Sequence, residues 1–253
     1  MKDIKFDIGC RNNFDNVMLE KLLWDSEQLS LSCGLIDCSI IHKDTDQRRL
    51  FDQIDRLLKE NSEVAFITIK LSFILTDILN RLVKNGANFI DTELIFRFNG
   101  VQHRECNTEI SFVKTYAPEF FTPLSRDMKW SRFFLDDCIP GKKAEKLWME
   151  SIKNHCQGRA HLLAICFWEG KPAGFATINF DKEKKSRLFF VGVLSQYRKQ
   201  GIGTDLLIAV TKKYGERYDI YVETSAMNIV AQKLYQKAGF KLHSARYILH
   251  HTK

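Results

Sequence analysis

The run Arg198-Lys199-Gln200-Gly201-Ile202-Gly203 constrains this chain more than any other stretch. Upstream lies Arg187-Leu188-Phe189-Phe190-Val191-Gly192-Val193-Leu194, an apolar run of strand character. Downstream, Thr204 opens a helix with Leu206, Leu207, Val210 and Tyr214 on one face. The order is strand, basic turn, two glycines, helix. Gly201 and Gly203 let a ligand approach the backbone closely and accept dihedrals that other residues resist. The N–H groups of residues 199–204 then converge at a helix N-terminus, where an anion is favoured. Arg198 and Lys199 add positive charge, and the whole reads as a cradle for a diphosphate.

The spacing excludes two other phosphate cradles, because neither Gly-x-x-x-x-Gly-Lys-Ser/Thr nor Gly-x-Gly-x-x-Gly occurs. Arg-x-x-Gly-x-Gly resembles the acetyl-coenzyme A signature of the GCN5-related N-acetyltransferases, the GNAT family. The resemblance implies that Arg198, Lys199, Gln200, Gly201, Ile202, Gly203 and Thr204 hold the cofactor diphosphate. In that family the strand before the cradle splays from its neighbour and offers backbone to the pantetheine arm and thioester. Here that part falls to Val191 and Val193. Further on, the run Asn228, Ala231, Leu234, Tyr235, Lys237, Gly239, Phe240 matches the family's order. Asn228 and Tyr235, two turns apart on one helical face, are then implied to contact the cofactor arm and to protonate the departing thiolate. A phenol with pKa near ~10 is a competent general acid in a dry site. The general base stays unassigned among Glu223, Asp91, Glu93 and a chain of waters.

The periodicity along the chain supports an α/β fold. Residues 32–41 read as a strand, and Asp44 or Thr45 as the cap of a helix to Lys59. A strand over 64–69, a helix from Ser72 to Lys84 and a strand over 89–98 come next. Strands are expected over 109–114, 161–168, 173–180, 187–194, 218–224 and 240–250. Helices are expected over 125–134, 144–155, after Gly203, and over 228–238. From residue 105 this succession also resembles the GNAT fold, a mixed central sheet flanked by helices. The division read from the sequence is a smaller α/β domain over 1–104 on the substrate side and the acetyltransferase domain over 105–253.

The two parts share a weak repeat. Laying Gly86 on Gly239 puts Ile67 and Ile69 on Ile220 and Val222, and Leu94-Ile95-Phe96 on Tyr247-Ile248-Leu249. Arg48 and Leu50 then stand in place of the cradle glycines, and Leu82 in place of Tyr235. The first part is therefore readable as a degenerate half-copy without cofactor chemistry.

Composition narrows the class. The longest apolar run, Leu162 to Trp168, is too short to span a bilayer, and the first twenty residues carry charges instead of an apolar segment. A cytoplasmic protein without a membrane partner is expected. Seven cysteines form no Cys-x-x-Cys pair, and no histidine has metal-ligand spacing, so free thiols and no metal are expected. The net charge of +7 comes with interleaved acids and no nucleic-acid motif, which favours polyphosphate ligands over nucleic acid. A homodimer is the base-rate expectation.

The acceptor is read from a second resemblance. Leu23-Trp24-Asp25-Ser26-Glu27, Gly86-Ala87-Asn88-Phe89-Ile90-Asp91, Ser131-Arg132-Phe133 and Tyr247-Ile248-Leu249-His250 occur in this order. Together they resemble the TDP-fucosamine acetyltransferase group, which implies a dTDP-linked 4-amino-4,6-dideoxy sugar acceptor used for bacterial surface polysaccharide. Trp24, Asp91 and Arg132 are the implied substrate residues, Arg132 for a diphosphate and Trp24 for stacking. Two alternatives stay open: the same chemistry on a peptide, lysine or polyamine amine, and a coenzyme A-binding sensor without catalysis.

Overall fold

Strand runs of three to thirteen residues alternate here with amphipathic helical stretches, and each takes the conformation its period requires. The computed structural model describes residues 17–40, 45–100, 106 and 108–253. In chain order these form β1 (Leu19–Lys21), α1 (Leu23–Leu29), β2 (Cys33–Cys38), α2 (Gln47–Glu60), β3 (Phe66–Ser72) and α3 (Thr76–Lys84). Then come β4 (Asn88–Phe98), β5 (Glu109–Val113), α4 (Arg132–Leu135), α5 (Gly141–Asn154), β6 (Leu162–Trp168) and β7 (Lys171–Phe180). The chain ends with β8 (Lys185–Val193), α6 (Ile202–Tyr214), β9 (Asp219–Ser225), α7 (Ile229–Lys237) and β10 (Phe240–Thr252). Among the described residues no helix is long and apolar enough to cross a membrane, and the six described cysteines are free.

Some element ends correct the sequence expectation. Asp46, not Thr45, caps α2, its carboxylate accepting from the N–H groups of Arg48 and Arg49 at 3.0 and 3.2 Å; Asp44 lies outside the described residues. Ser72 ends β3 instead of capping a helix, because its carbonyl accepts the Leu75 N–H and closes a turn first. A continuous helix over 125–134 does not form. A 3₁₀ turn over Thr122–Asp127 stops at Met128, and the Ser131 N–H bonds back to the Met128 carbonyl before α4 begins. The elements β1 and α1 are additional to the expectation, and both are too short to show a period.

The described chain divides into two compact units, neither of them a continuous stretch. The first holds the described residues up to Glu93 together with 132–143 and 244–253. Its sheet runs β1-β2-β3-β10-β4, with β2 parallel to β3 and β10 antiparallel to it, Arg246 opposite Ser72 and His250 opposite Thr68. One face of that sheet carries Ile67, Ile69, Leu71 and Leu249. It packs against Leu50, Ile54 and Leu58 of α2 and Ile78 and Leu82 of α3.

The second unit holds 94–131 and 144–243. Its strands run β4-β9-β8-β7-β6-β5, with β8 parallel to β9 and the last four antiparallel in sequence. Leu206, Leu207 and Val210 of α6 form its core with Phe96, Ile178, Leu188, Val222, Tyr235 and Phe240. A satellite cluster around Phe121, Phe175 and Phe190 lies beyond Leu163 and Ile165.

The repeat is visible in the elements themselves. β3 and β9 each have seven residues and start 153 positions apart, and α3 and α7 each have nine and start 153 apart. Contacts repeat as well. In the second unit Arg97 pairs with Asp219 at 2.6 Å, and at the positions 153 away His250 packs on Phe66 with ring centroids 4.5 Å apart in the first unit. Phe96 on Tyr235 is likewise answered by Leu249 in the cluster containing Leu82. The end of β4 thus does for the second unit what the end of β10 does for the first.

Within the second unit, His155 is buried, stacked on Phe189 at 4.8 Å, with Nδ1 bonded to the Ser151 carbonyl at 2.8 Å. Burial pushes its pKa down to about 4. The unfolded chain binds the proton near 6.5, so stability is full above that value and is lost as pH falls from there to about 4. Over this window the expected loss is roughly 3 kcal/mol. Urea denaturation at pH 7 and pH 4 checks it, and a His155→Phe variant should show a correspondingly smaller drop.

Candidate active site

The cradle sits where β8 gives way to α6. Lys199 and Gly201 both have positive φ, 65° and 85°, a left-handed turn that Gly adopts without strain. Gly201 is the N-cap of α6, and no side chain caps that helix. The N–H groups of Thr204 and Asp205 are taken by the Gly201 carbonyl at 2.9 and 3.0 Å. The Thr204 N–H is thus already paired within the turn. Among the described residues, the N–H groups of Lys199, Gln200, Gly201, Ile202 and Gly203 have no such acceptor. Gly203 serves packing, since a Cβ there would stand 3.3 Å from both methyls of Leu234 on α7. Arg198 is pinned, its Nε donating to the Val193 carbonyl at 3.0 Å and its guanidinium pairing with Asp127 at 2.5 Å.

Next to the cradle, β8 leaves β9. Their parallel pairing runs from Lys185 with Asp219 to Leu188 with Val222 and stops there. On its other edge β8 stays with β7 as far as Val193 opposite Gly174. The N–H of Phe190 bonds to the Thr177 hydroxyl at 3.0 Å, and that of Leu194 to the Ala173 carbonyl at 2.9 Å, both on the β7 side. Successive N–H groups along a strand point to opposite edges. Those of Val191 and Val193 therefore face the open edge that β9 has left.

Asn228 is the N-cap of α7, accepting from the Ala231 N–H at 3.2 Å. Tyr235 is buried in the core of the second unit, its ring 5.7 Å from Phe96 and 6.3 Å from Phe240. Burial pushes its phenol well above the ordinary value, so it holds its proton throughout the neutral range. Glu223 is committed to an ion pair with Arg187. A cavity of about 490 Å³ opens elsewhere in this unit, beside Gly215 and lined by Arg97, Tyr218, Lys241 and His243. It lies at the far end of α6, about 20 Å from the cradle at 1.5 Å per residue, and is a separate feature.

The implied substrate residues all fall in the first unit. Trp24 and Asp25 are on α1, and Arg132 of α4 stands 3.8 Å from Asp25 and over the Phe133 ring at 4.2 Å. Asp91 is buried on β4. Not expected from the sequence are Asp136, which holds the Nδ1 of the fully buried His250 at 2.6 Å, and the pairing of Glu93, one of the candidate bases, with Lys70 and Arg246. Each of Lys70, Glu93 and Arg246 alone reads as a solvated strand charge, so no local signal marked the cluster. Among the described residues no group of three or more His, Cys, Asp or Glu could hold a metal ion.

The sequence model of the Acetyltransferase (GNAT) family matches residues 122–240, a little under half of the chain. An N-alpha-acetyltransferase of Sulfurisphaera tokodaii is 44% identical over 61 residues, 23% of this chain. The match spans only 36% of that relative's length. Among solved structures, a GNAT-family acetyltransferase from Colwellia psychrerythraea superposes with a TM-score of 0.55 at 17% identity, over 85% of this chain and 76% of that one. A functionally unknown conserved protein from Staphylococcus epidermidis reaches 0.57 at 14% identity, over 98% and 96%. At such identities the likeness is one of fold. The cradle geometry carries its own prediction: Gly201→Asp puts a carboxylate and a strained left-handed residue, costing about 1–2 kcal/mol, among the free N–H groups. Affinity for coenzyme A, measured by calorimetry, should fall at least tenfold.

Proposed function

We propose that the protein moves an acetyl group from acetyl-coenzyme A to the amine of a nucleotide-linked 4-amino-4,6-dideoxy sugar, and we read residues 122–240, which match the GNAT family model, as the part that carries the transfer. The observation that carries the transfer is the open edge of β8 beside the uncapped start of α6. The five N–H groups of residues 199–203, with Lys199, would hold a diphosphate. The N–H groups of Val191 and Val193 would donate to a thioester carbonyl and to the negative charge that grows on it. Acetyl-coenzyme A supplies the activated acyl group.

In the reaction the neutral amine forms a C–N bond to the thioester carbonyl as the C–S bond breaks. The amine's proton leaves to a base, and the sulfur collects one. Tyr235 is the proposed donor of that second proton. Its raised pKa keeps it protonated until a thiolate forms, and its place two turns after Asn228 puts it on the cap's face of α7. Support for the sugar is that Trp24 and Arg132 both lie in the first unit, Arg132 beside Asp25 at 3.8 Å, since an aromatic ring suits a base and a guanidinium a diphosphate.

A peptide N-terminus is the second reading, and the segment shared with the Sulfurisphaera tokodaii N-alpha-acetyltransferase favours it. Thiol release from acetyl-coenzyme A against dTDP-4-amino-4,6-dideoxygalactose, its glucose epimer, a 3-amino isomer, spermidine and a peptide separates the two. Turnover on a 4-amino sugar is expected, and turnover on the peptide alone would replace the reading. Tyr235→Phe should lower kcat about 100-fold or more with coenzyme A affinity unchanged. Wild-type turnover by that variant would remove the assignment of the acid.

A further inference from the structure

The sheet of the first unit has two unlike faces. One carries Ile67, Ile69, Leu71 and Leu249 under α2 and α3. Residues alternate between faces along a strand, so the opposite face carries Thr68 and Lys70 of β3 and Arg246 and His250 of β10. It also carries Glu93 of β4, which reaches both Lys70 and Arg246, and Asp91 two residues before it. A face that served packing alone would be apolar, and a solvated one would have its charges in water.

This face is neither. The Arg246 side chain is 6% exposed, Lys70 12% and Glu93 20%, while Thr68, Asp91 and His250 are buried. Nε and Nη2 of Arg246 both converge on Oε2 of Glu93, at 2.6 and 2.5 Å, and Lys70 Nζ stands 3.9 Å from the same oxygen. Two cations thus share one carboxylate oxygen. His250 Nε2 is buried without a hydrogen-bond partner among the described residues. Burying charge in this way is costly for stability alone.

We infer that this polar face, built by Lys70, Asp91, Glu93 and Arg246, binds the hydroxyl-bearing ring of an amino-sugar acceptor. The inference rests on the proposed sugar acceptor and names the place where its ring would be held. With Asp37, which stands opposite Lys70 on β2, the face holds three acids to two bases, which disfavours a polyphosphate at this spot. A sugar hydroxyl both donates and accepts, so a ring can bridge an ammonium or guanidinium and a carboxylate without leaving either charge unmatched. The carboxylates of Asp91 and Glu93 suit the acceptor's own amino group. The diphosphate of such a substrate falls to other residues, of which Arg132 is the candidate.

The test uses the full chain, with dTDP-4-amino-4,6-dideoxygalactose as the probe and acetyl-coenzyme A saturating. Lys70→Met and Asp91→Asn should each raise KM for the sugar at least tenfold while coenzyme A affinity, measured separately, stays within twofold of wild type. Sugar turnover with KM within twofold of wild type in both variants would overturn the site and leave the proposed function standing. Hydrogen exchange on the wild-type protein guards against variants that fail to fold. The sugar should slow exchange in 68–72 and 244–250, and its failure to do so while turnover proceeds would also overturn the site. Turnover of a peptide with none of any sugar would overturn the proposed function and this inference together.

Discussion

The site depends on how far β8 can follow β9. Up to Leu188 the two strands share a parallel ladder; beyond it β8 continues with β7 alone. The register of β7 and β8 shifts at the same place, between Ala176 and Ile178, and the Thr177 hydroxyl takes the Phe190 N–H that the ladder would have paired. A bulge of this kind bends a strand and re-aims the residues beyond it. The consequence is a short length of strand, Val191 to Val193, with one edge satisfied and the other open. An open backbone edge in a folded core is expensive unless something else pairs with it. The same chain then turns through Gly201 into an uncapped helix, so two sets of unmatched N–H groups stand next to one another in sequence.

The discontinuity of the two units follows the repeat in the elements. β4 ends the first half of the chain and β10 ends the second, yet each finishes in the unit built mainly from the other half. The contact of Glu93 with Arg246 joins two residues that occupy equivalent places in the repeat, 153 positions apart. An acid and a base at equivalent positions can pair with one another, whereas an unaltered repeat would have set two like charges together. Divergence at this one position removes a repulsion and supplies a buried ion pair.

What could be read from the sequence was what local chemistry decides. The two glycines of the cradle, the face of α6 and the spacing of Asn228 and Tyr235 are properties of a dozen neighbouring residues, and the structure keeps them. The repeat was legible because Gly86 and Gly239 both end helices and both have positive φ. The helix cap failed by one residue, as Thr45 and Asp46 are both good caps and only the position of the first turn separates them. The polar sheet face was hidden for a different reason. Lys70, Glu93 and Arg246 acquire their meaning from pairing across long separations in sequence, and each alone reads as a solvated strand charge. The separation of Val191 from β9 was expected through resemblance, since no single residue in β8 announces where the ladder ends.

The two halves solve the same helix-terminus problem in opposite ways, and the contrast explains their division of labour. Every helix begins with N–H groups that its own turns cannot pair. In α2 the Asp46 carboxylate takes two of them, from Arg48 and Arg49. In the repeat Asp46 corresponds to Lys199 and Arg48 to Gly201, so the first half has an internal anion where the second has a cation. With the carboxylate in place α2 is satisfied, and a second anion at its start would meet charge repulsion. The start of α6 has no side chain capping it, with Asp205 in its first turn, a left-handed glycine at its N-cap, and Lys199 two residues before that glycine. One copy caps its helix with an anion from its own sequence; the other leaves its first N–H groups without a side-chain cap.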